Sequence, residues 1–461
     1  MEPIYATSHL LSVVFVLTSF LSCFGARQEN PIVKQLHHTH LYDPGAYQSH
    51  LSTSYRSDIV HNPRFPSFLD YKTRAPITRT SKASAPANSH KLVTVDDFGA
   101  KADGTDDSEA FKKAWNATCS SRERAVLVVP KNKTYHLKPV NFSGPCKSHL
   151  KVLIYGTIKA SVKISDYEND RRHWLVVEKV KNLEVRGGGI INGNGRIWWV
   201  NSCKTNKTLP CKRAPTALTF LECKNLVVAN LRFLNAQKMH LTFQGCVNVR
   251  ALDLFVKAPR NSPNTDGIHV TGTKKIKISK CIIRTGDDCI SIVSGSTRIE
   301  ATDIICGPGH GISIGSLGAN NSEAKVSHVE VNRATLSGTT NGLRIKTWQG
   351  GSGYAKKIRF QNVVMHNVTN PIIIDQYYCD QVDPCPEQPS AVKISQVMYR
   401  NIKGTSESEV AVKFNCSKRN PCRQILLQDI DLRREEINGS AKASCENVKL
   451  ANMGHVSPMC A

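Results

Sequence analysis

From residue 92 onward the apolar positions of this chain recur in short alternating runs and not in long helical stripes. Val93, Val95 and Phe98 alternate from Leu92 into the segment Gly99 to Asp107, a period of two that predicts a half-buried strand. A single helical stretch follows, with Ala110, Phe111, Ala114 and Trp115 on one face and Asp106 or Asp107 placed to cap it. The acidic residues of this segment suggest calcium less than they suggest a turn and a helix cap.

Beyond the helix one module repeats: a turn, an apolar-x-apolar strand, then a second short strand. Its first apolar residue falls at Leu183, Leu226, Val249, Ile276, Ile299, Val329, Ile358, Val392 and Ile425, with steps of 23, 27 and 23 residues between Leu226 and Ile299 and of 29 to 34 thereafter. Self-similarity at this period marks a solenoid. Short strands without helices predict a parallel β-helix, an all-β fold in which each repeat is one coil. A leucine-rich repeat lacks its Asn and Leu spacing here. A β-sandwich would not explain the register below.

Ahead of this domain, residues 10–24 (LLSVVFVLTSFLSCF) form an apolar run of signal-peptide length, too short for a membrane span, with small residues suiting cleavage before Ala26. Glu2 and the lack of Lys or Arg before the run depart from that pattern. An uncleaved anchor is the alternative. Residues 26–91 are rich in His, Ser, Thr and Pro and read as a disordered or removable region. The cluster His37-His38-Thr39-His40 within it reads as solvated more readily than as a metal site. The domain is expected over 92–461. Cysteine use fits export: without Cys23, 15 remain, so at least one thiol is unpaired. The spacings Cys203/Cys211, Cys379/Cys385, Cys416/Cys422 and Cys445/Cys460 suit loop disulfides, and Cys119/Cys146 and Cys289/Cys306 are further candidates. Eight Asn-x-Ser/Thr triplets begin at Asn116, Asn132, Asn141, Asn206, Asn320, Asn367, Asn415 and Asn438. A formal charge of +24 favours an anionic partner. Secretion turns that expectation from nucleic acid towards an acidic polysaccharide, with no membrane contact once the signal is removed.

Aligning the second strands gives Asp266-Gly267-Ile268-His269-Val270, Asp288-Cys289-Ile290-Ser291-Ile292, His310-Gly311-Ile312-Ser313-Ile314 and Asn341-Gly342-Leu343-Arg344-Ile345. The shared apolar positions should face the core, and His269, Ser291, Ser313 and Arg344 should face outward. Asp266, Asp288 and His310 then share one position at steps of 22 residues, which stacks them about 4.8 Å apart on consecutive coils, with Asp287 beside the middle rung. Crowded carboxylates push at least one pKa upward, so one group is protonated beside others that are ionised. Glycoside hydrolysis requires that division: an acid for the leaving oxygen and a carboxylate for water or carbon. Arg344 and Lys346, two residues apart, would face the same side and hold a substrate carboxylate. Any one aspartate is more readily a turn residue, as Asn264 and Asn341 can be. The conjunction in register points to a site. Gly309 and Gly311 would permit tight turning or close approach of substrate.

At Asn264-Thr265-Asp266, Gly286-Asp287-Asp288, Gly309-His310-Gly311 and Arg344-Ile345-Lys346 the chain resembles the plant-type polygalacturonases, pectin-hydrolysing glycosidases of family 28, over roughly residues 92–461. The resemblance implies a right-handed parallel β-helix that hydrolyses α-1,4 bonds between galacturonic acids with inversion. By position Asp287 corresponds to the general acid, Asp266 and Asp288 to the pair that activates water, and His310 to the group assisting the acid. Arg344 and Lys346 would bind galacturonate carboxylates. Tyr378 matches a substrate-contacting tyrosine, with Tyr377 one residue away. Together with Asn264 these are the candidate site residues. A monomer with no cofactor and no metal is expected, acting in the extracellular wall space. Two rivals remain: a calcium-dependent pectate-lyase-like β-helix, and a non-catalytic protein that binds pectin through a basic groove.

Overall fold

A computed structural model describes residues 91–381, 385–435 and 440–460. The apolar run at the N-terminus, the His37–His40 cluster and the triplet at Asn438 lie outside the described residues. Among the described residues, no helix is long and apolar enough to cross a membrane.

The fold is a right-handed parallel β-helix, with a 16-stranded and an 11-stranded sheet whose strand ladders all pair in parallel. From Thr216 onward each coil contributes one strand to each sheet, and the same apolar position stacks from coil to coil. On the larger sheet Leu183, Leu226, Val249, Ile276, Ile299, Val329 and Ile358 are in register, each no more than 2% exposed. On the smaller sheet Ile268, Ile290, Ile312, Leu343, Ile372 and Val412 do the same. Burying each such side chain stabilises the fold by about 1.5–3 kcal/mol. The stack is therefore a continuous core wound by one chain.

The repeat fails in one place. The residue that pairs with Ile358 and Ile425 is Val397, not Val392. An excursion between the strands Asn370–Asp375 and Lys393–Ser406, clipped by the Cys379–Cys385 disulfide, lengthens this coil. Val392 is fully buried in the core cluster, so its apolar side chain is used, but outside the stacked ladder; its carbonyl accepts from Gln376 Nε2 at 2.9 Å.

The first coil would expose an unpaired edge and core. The helix Ser108–Cys119 covers it, burying Phe111, Ala114 and Trp115. Trp115 Nε1 donates to the Ser143 carbonyl at 3.1 Å, and Cys119–Cys146 ties the helix end to the same turn. Asp107 occupies the N-cap position without capping. Its carboxylate accepts from the Lys101 and His136 amides, while Asp106 accepts from Ser108 N–H at 3.0 Å. All six expected disulfides form, and among the described residues Cys223, Cys246 and Cys281 are the buried free thiols. Six of the glycosylation triplets present an exposed Asn. Asn415 is half-buried beside Asp375 on the smaller sheet.

Candidate active site

The acids sit where the turns enter the smaller sheet. Ile268, Ile290 and Ile312 pair in register, so Asp266, Asp288 and His310, each two residues earlier, fall on successive coils. Gly309 and Gly311 flank His310 at φ of 152° and 82°. A Cβ on Gly309 would lie 2.8 Å from the Asp287 carbonyl, and one on Gly311 would run into the Asn341 carbonyl. Both glycines thus let the His310 turn close on its neighbours.

Asp287 faces the open side, with 16% of its side chain exposed, and its Oδ1 lies 3.0 Å from His310 Nδ1. Its Oδ2 accepts from Asn264 Nδ2 at 3.3 Å, so Asn264 is in the site and not merely a turn residue. Asp288 is buried. Its Oδ1 accepts from Arg344 Nη2 at 2.7 Å and from Ser313 Oγ at 2.7 Å, and its Oδ2 accepts from Lys346 Nζ at 2.9 Å. Arg344 and Lys346 therefore clamp an aspartate, an ion-paired role that the strand pattern did not reveal. Ser291 Oγ donates to Asp266 Oδ2 at 2.6 Å. His269 Nδ1 lies 2.8 Å from that hydroxyl, and burial, with Lys238 nearby, holds His269 down at about 4. The outward positions Ser291 and Ser313 thus do not meet solvent: they are buried beneath the acids as their floor.

The electrostatics separate the acids. Burial and the charges of Asp287 and Asp288 push Asp266 well above the usual carboxylate range. Burial also pushes Asp287 upward, but the hydrogen bond and charge of His310, with Lys346 beyond, outweigh it and bring Asp287 to about 2. The same surroundings thus favour the protonated form at Asp266 and the ionised form at Asp287. The crowding predicted a protonated acid; its location was not legible.

The family profile described as glycosyl hydrolases family 28 matches residues 119–460. The chain belongs to that family. It is 60% identical over 391 residues to Polygalacturonase QRT2 of Arabidopsis thaliana, covering 85% of this chain and 89% of that protein. It is 50% identical over 458 residues to Polygalacturonase-2 of Solanum lycopersicum, covering 99% and 96%. The fold matches an endo-xylogalacturonan hydrolase from Aspergillus tubingensis with a TM-score of 0.68 at 24% identity, over 79% of this chain and 100% of that one. As a family 28 glycoside hydrolase it is an enzyme, and the acid cluster is where its chemistry is sought.

Tyr378, and not Tyr377, reaches the cluster. Its ring centre is 5.3 Å from Lys346 Nζ and packs edge-on against Trp348. Burial, with Asp380 near, pushes its hydroxyl up to about 12. The Tyr377 hydroxyl turns away and accepts from the Lys418 amide. Ser291, Ser313, His269 and Trp348 were missed as site residues. A signal existed for the serines: each donates to the aspartate 25 residues earlier, one coil of 22 plus three along the strand. Donor atoms of Asp287, Asp288 and His310 lie within 4.8 Å of one another. With Asp288 already holding two cations, this trio offers a calcium ion far fewer than the 6–8 oxygens it takes.

Proposed function

We propose that this family 28 enzyme is a secreted polygalacturonase, hydrolysing α-1,4-linked galacturonic acid in pectin with inversion. The observation that carries it is the cluster Asp266, Asp287 and Asp288 beside His310, set against a half-buried Arg344 and a buried Lys346 on one face. High identity to named polygalacturonases over most of both chains supports the substrate. Six disulfides and the apolar N-terminal run support secretion into the wall space.

Asp287 is the general acid in this reading, because it is the aspartate that reaches open space and is already held by His310 and Asn264. The three carboxylates titrate as a set. An anionic sugar that displaces water beside Asp287 raises its pKa by desolvation and like charge, moving the shared proton from Asp266 towards the leaving oxygen. Asp266 and Asp288 then hold the attacking water. Asp287 and Asp288 approach within 4.8 Å, closer than the roughly 6.5–9.5 Å usual between the acid and base of inverting enzymes, so the placing of the water on Asp266 and Asp288 rests on the family resemblance and the anomer released is the deciding measurement. The remaining donors of Arg344 and Lys346 take the sugar carboxylate while their charge on Asp288 holds it ionised as base.

The test uses the full chain on polygalacturonic acid. New reducing ends should appear, with the β-anomer first by NMR, and no ultraviolet-absorbing unsaturated product. Asp287→Asn should cut kcat by about 10²–10⁴ and regain rate on a galacturonide with a good leaving group, which needs no acid. Recovery by Asp266→Asn in its place would refute the role assignment. The α-anomer appearing first would refute inversion.

A further inference from the structure

A groove of about 1010 Å³ runs along the larger sheet and shares no residue with the acid cluster. Its floor is the buried ladder from Val249 to Val397, and its lining reaches Leu426. Those strands make six parallel steps, about 29 Å at the usual 4.8 Å spacing. Where each strand bends, one residue adopts the left-handed conformation. On the earlier coils it is Asn182, Asn225 and Asn248, the residue type that tolerates this best. On the four central coils it is Lys275, Arg298, His328 and Lys357, at φ of 61°, 59°, 56° and 57°. Two residues on, a second outward row carries Arg250, Lys277, Glu300, Glu330 and Arg359 in register.

A strip of Lys and Arg is most often a solvated face. Two features set this one apart. Among the described residues only Lys277 of these cations has an acid partner, Glu300 at 2.9 Å. Lys275, Arg298 and Lys357 stay exposed without one. Like charges stacked on adjacent strands destabilise a sheet, so the row is costly to the fold alone and is relieved by an anion. The positive potential is felt locally: burial, then Lys357, Arg298 and Lys356, lowers the pKa of His328.

We propose that this groove is a second, non-catalytic binding site for a polygalacturonate strand, seated along the ladder with its carboxylates on Lys275, Arg298, Lys357 and Arg359. Three of the four central coils present a bend cation, Lys275, Arg298 and Lys357, with His328 between them, and a linear polymer with carboxylates spaced along its length can meet such a row, whereas a folded protein has no such period. The choice of polymer rests on the substrate reading above. Bound there, the strand tethers the enzyme to the wall while the acid face stays free to cut.

The test is affinity electrophoresis of the full chain, in the Asp287→Asn background, through gels containing polygalacturonate. Lys275→Glu/Arg298→Glu/Lys357→Glu should weaken retention by about tenfold at low salt. A control reversing three exposed cations near the capping helix, Lys113→Glu/Arg122→Glu/Arg124→Glu, should change it far less. With Asp287 restored, the groove triple should cleave a short oligogalacturonide at the unaltered rate. Unchanged retention of the groove triple, or equal loss in both triples, overturns the proposal. A parent chain that releases no reducing ends, while the groove triple still loses retention, sinks the substrate reading and leaves the groove standing.

Discussion

The two outward faces of this solenoid use the same coil and the same stacked core, yet treat charge in opposite ways. On the smaller sheet Asp288 is 1% exposed and is held by Arg344, Lys346 and Ser313. On the larger sheet Lys275, Arg298 and Lys357 stand in solvent without acid partners among the described residues. Burial is what separates them. Charges taken out of water interact strongly enough to move protons between neighbours, whereas charges left in water are screened and act only weakly on one another. The repeat supplies spacing to both faces, and desolvation turns one of them into a place for chemistry.

The sharpest break of that comparison is Lys346→Met. Asp288 would keep Arg344 but lose half its neutralising charge inside the fold, where removing one partner of a buried pair costs about 3–5 kcal/mol. Denaturant unfolding should show a loss of that order, with kcat/KM down by about 10² or more. Adding Asp288→Asn should restore much of the stability and none of the activity. A single-variant loss no larger than that of an exposed pair would show that the clamp on Asp288 is not the source of the site's order.

Much of this was readable beforehand because it depends on period. A coil of 22 residues puts Asp266, Asp288 and His310 in line whatever the loops do, and apolar alternation fixes which side is in. What escaped was set by contacts that cross coils. The clamp of Arg344 and Lys346 on Asp288 spans 56 and 58 residues, so strand alternation could place both cations on the right side without saying whom they meet. Val392 misled because it is apolar and buried in the core without belonging to the ladder, in a coil lengthened by a loop that has no periodic signal. The proton on Asp266 depends on burial and on two neighbouring charges together. Spacing reports neither.

A second contrast concerns histidines and pH. His240 is fully buried under the acids, with Nδ1 donating to the Asp266 carbonyl at 3.0 Å and Nε2 accepting from the Ala236 amide. Burial holds it at about 4 against an ordinary 6.5. The unfolded chain therefore binds this proton first as pH falls. The stability from neutral His240 is complete above about 6.5 and is lost towards 4, of order 3 kcal/mol. His328 in the basic groove is exposed and should add little. Thermal unfolding between pH 7 and 4 should fall steeply for the parent chain and less steeply for His240→Gln, with His328→Gln following the parent. Parallel slopes for all three would remove His240 from the account.

The smallest effect belongs to the groove's own ion pair. Lys277 and Glu300 meet at 2.9 Å with side chains 48% and 45% exposed, so water screens their attraction and ordering two long side chains offsets it. Lys277→Ala should change unfolding free energy by less than about 1 kcal/mol, against several for Lys346→Met at nearly the same bond length. The geometry of the two contacts is almost alike, and only the surroundings differ. Adding salt should erase what little Lys277→Ala costs and leave the Lys346→Met loss standing. If salt reduced both losses in proportion, the acid cluster would be as open to solvent as the groove, and its proton sharing would have no physical basis.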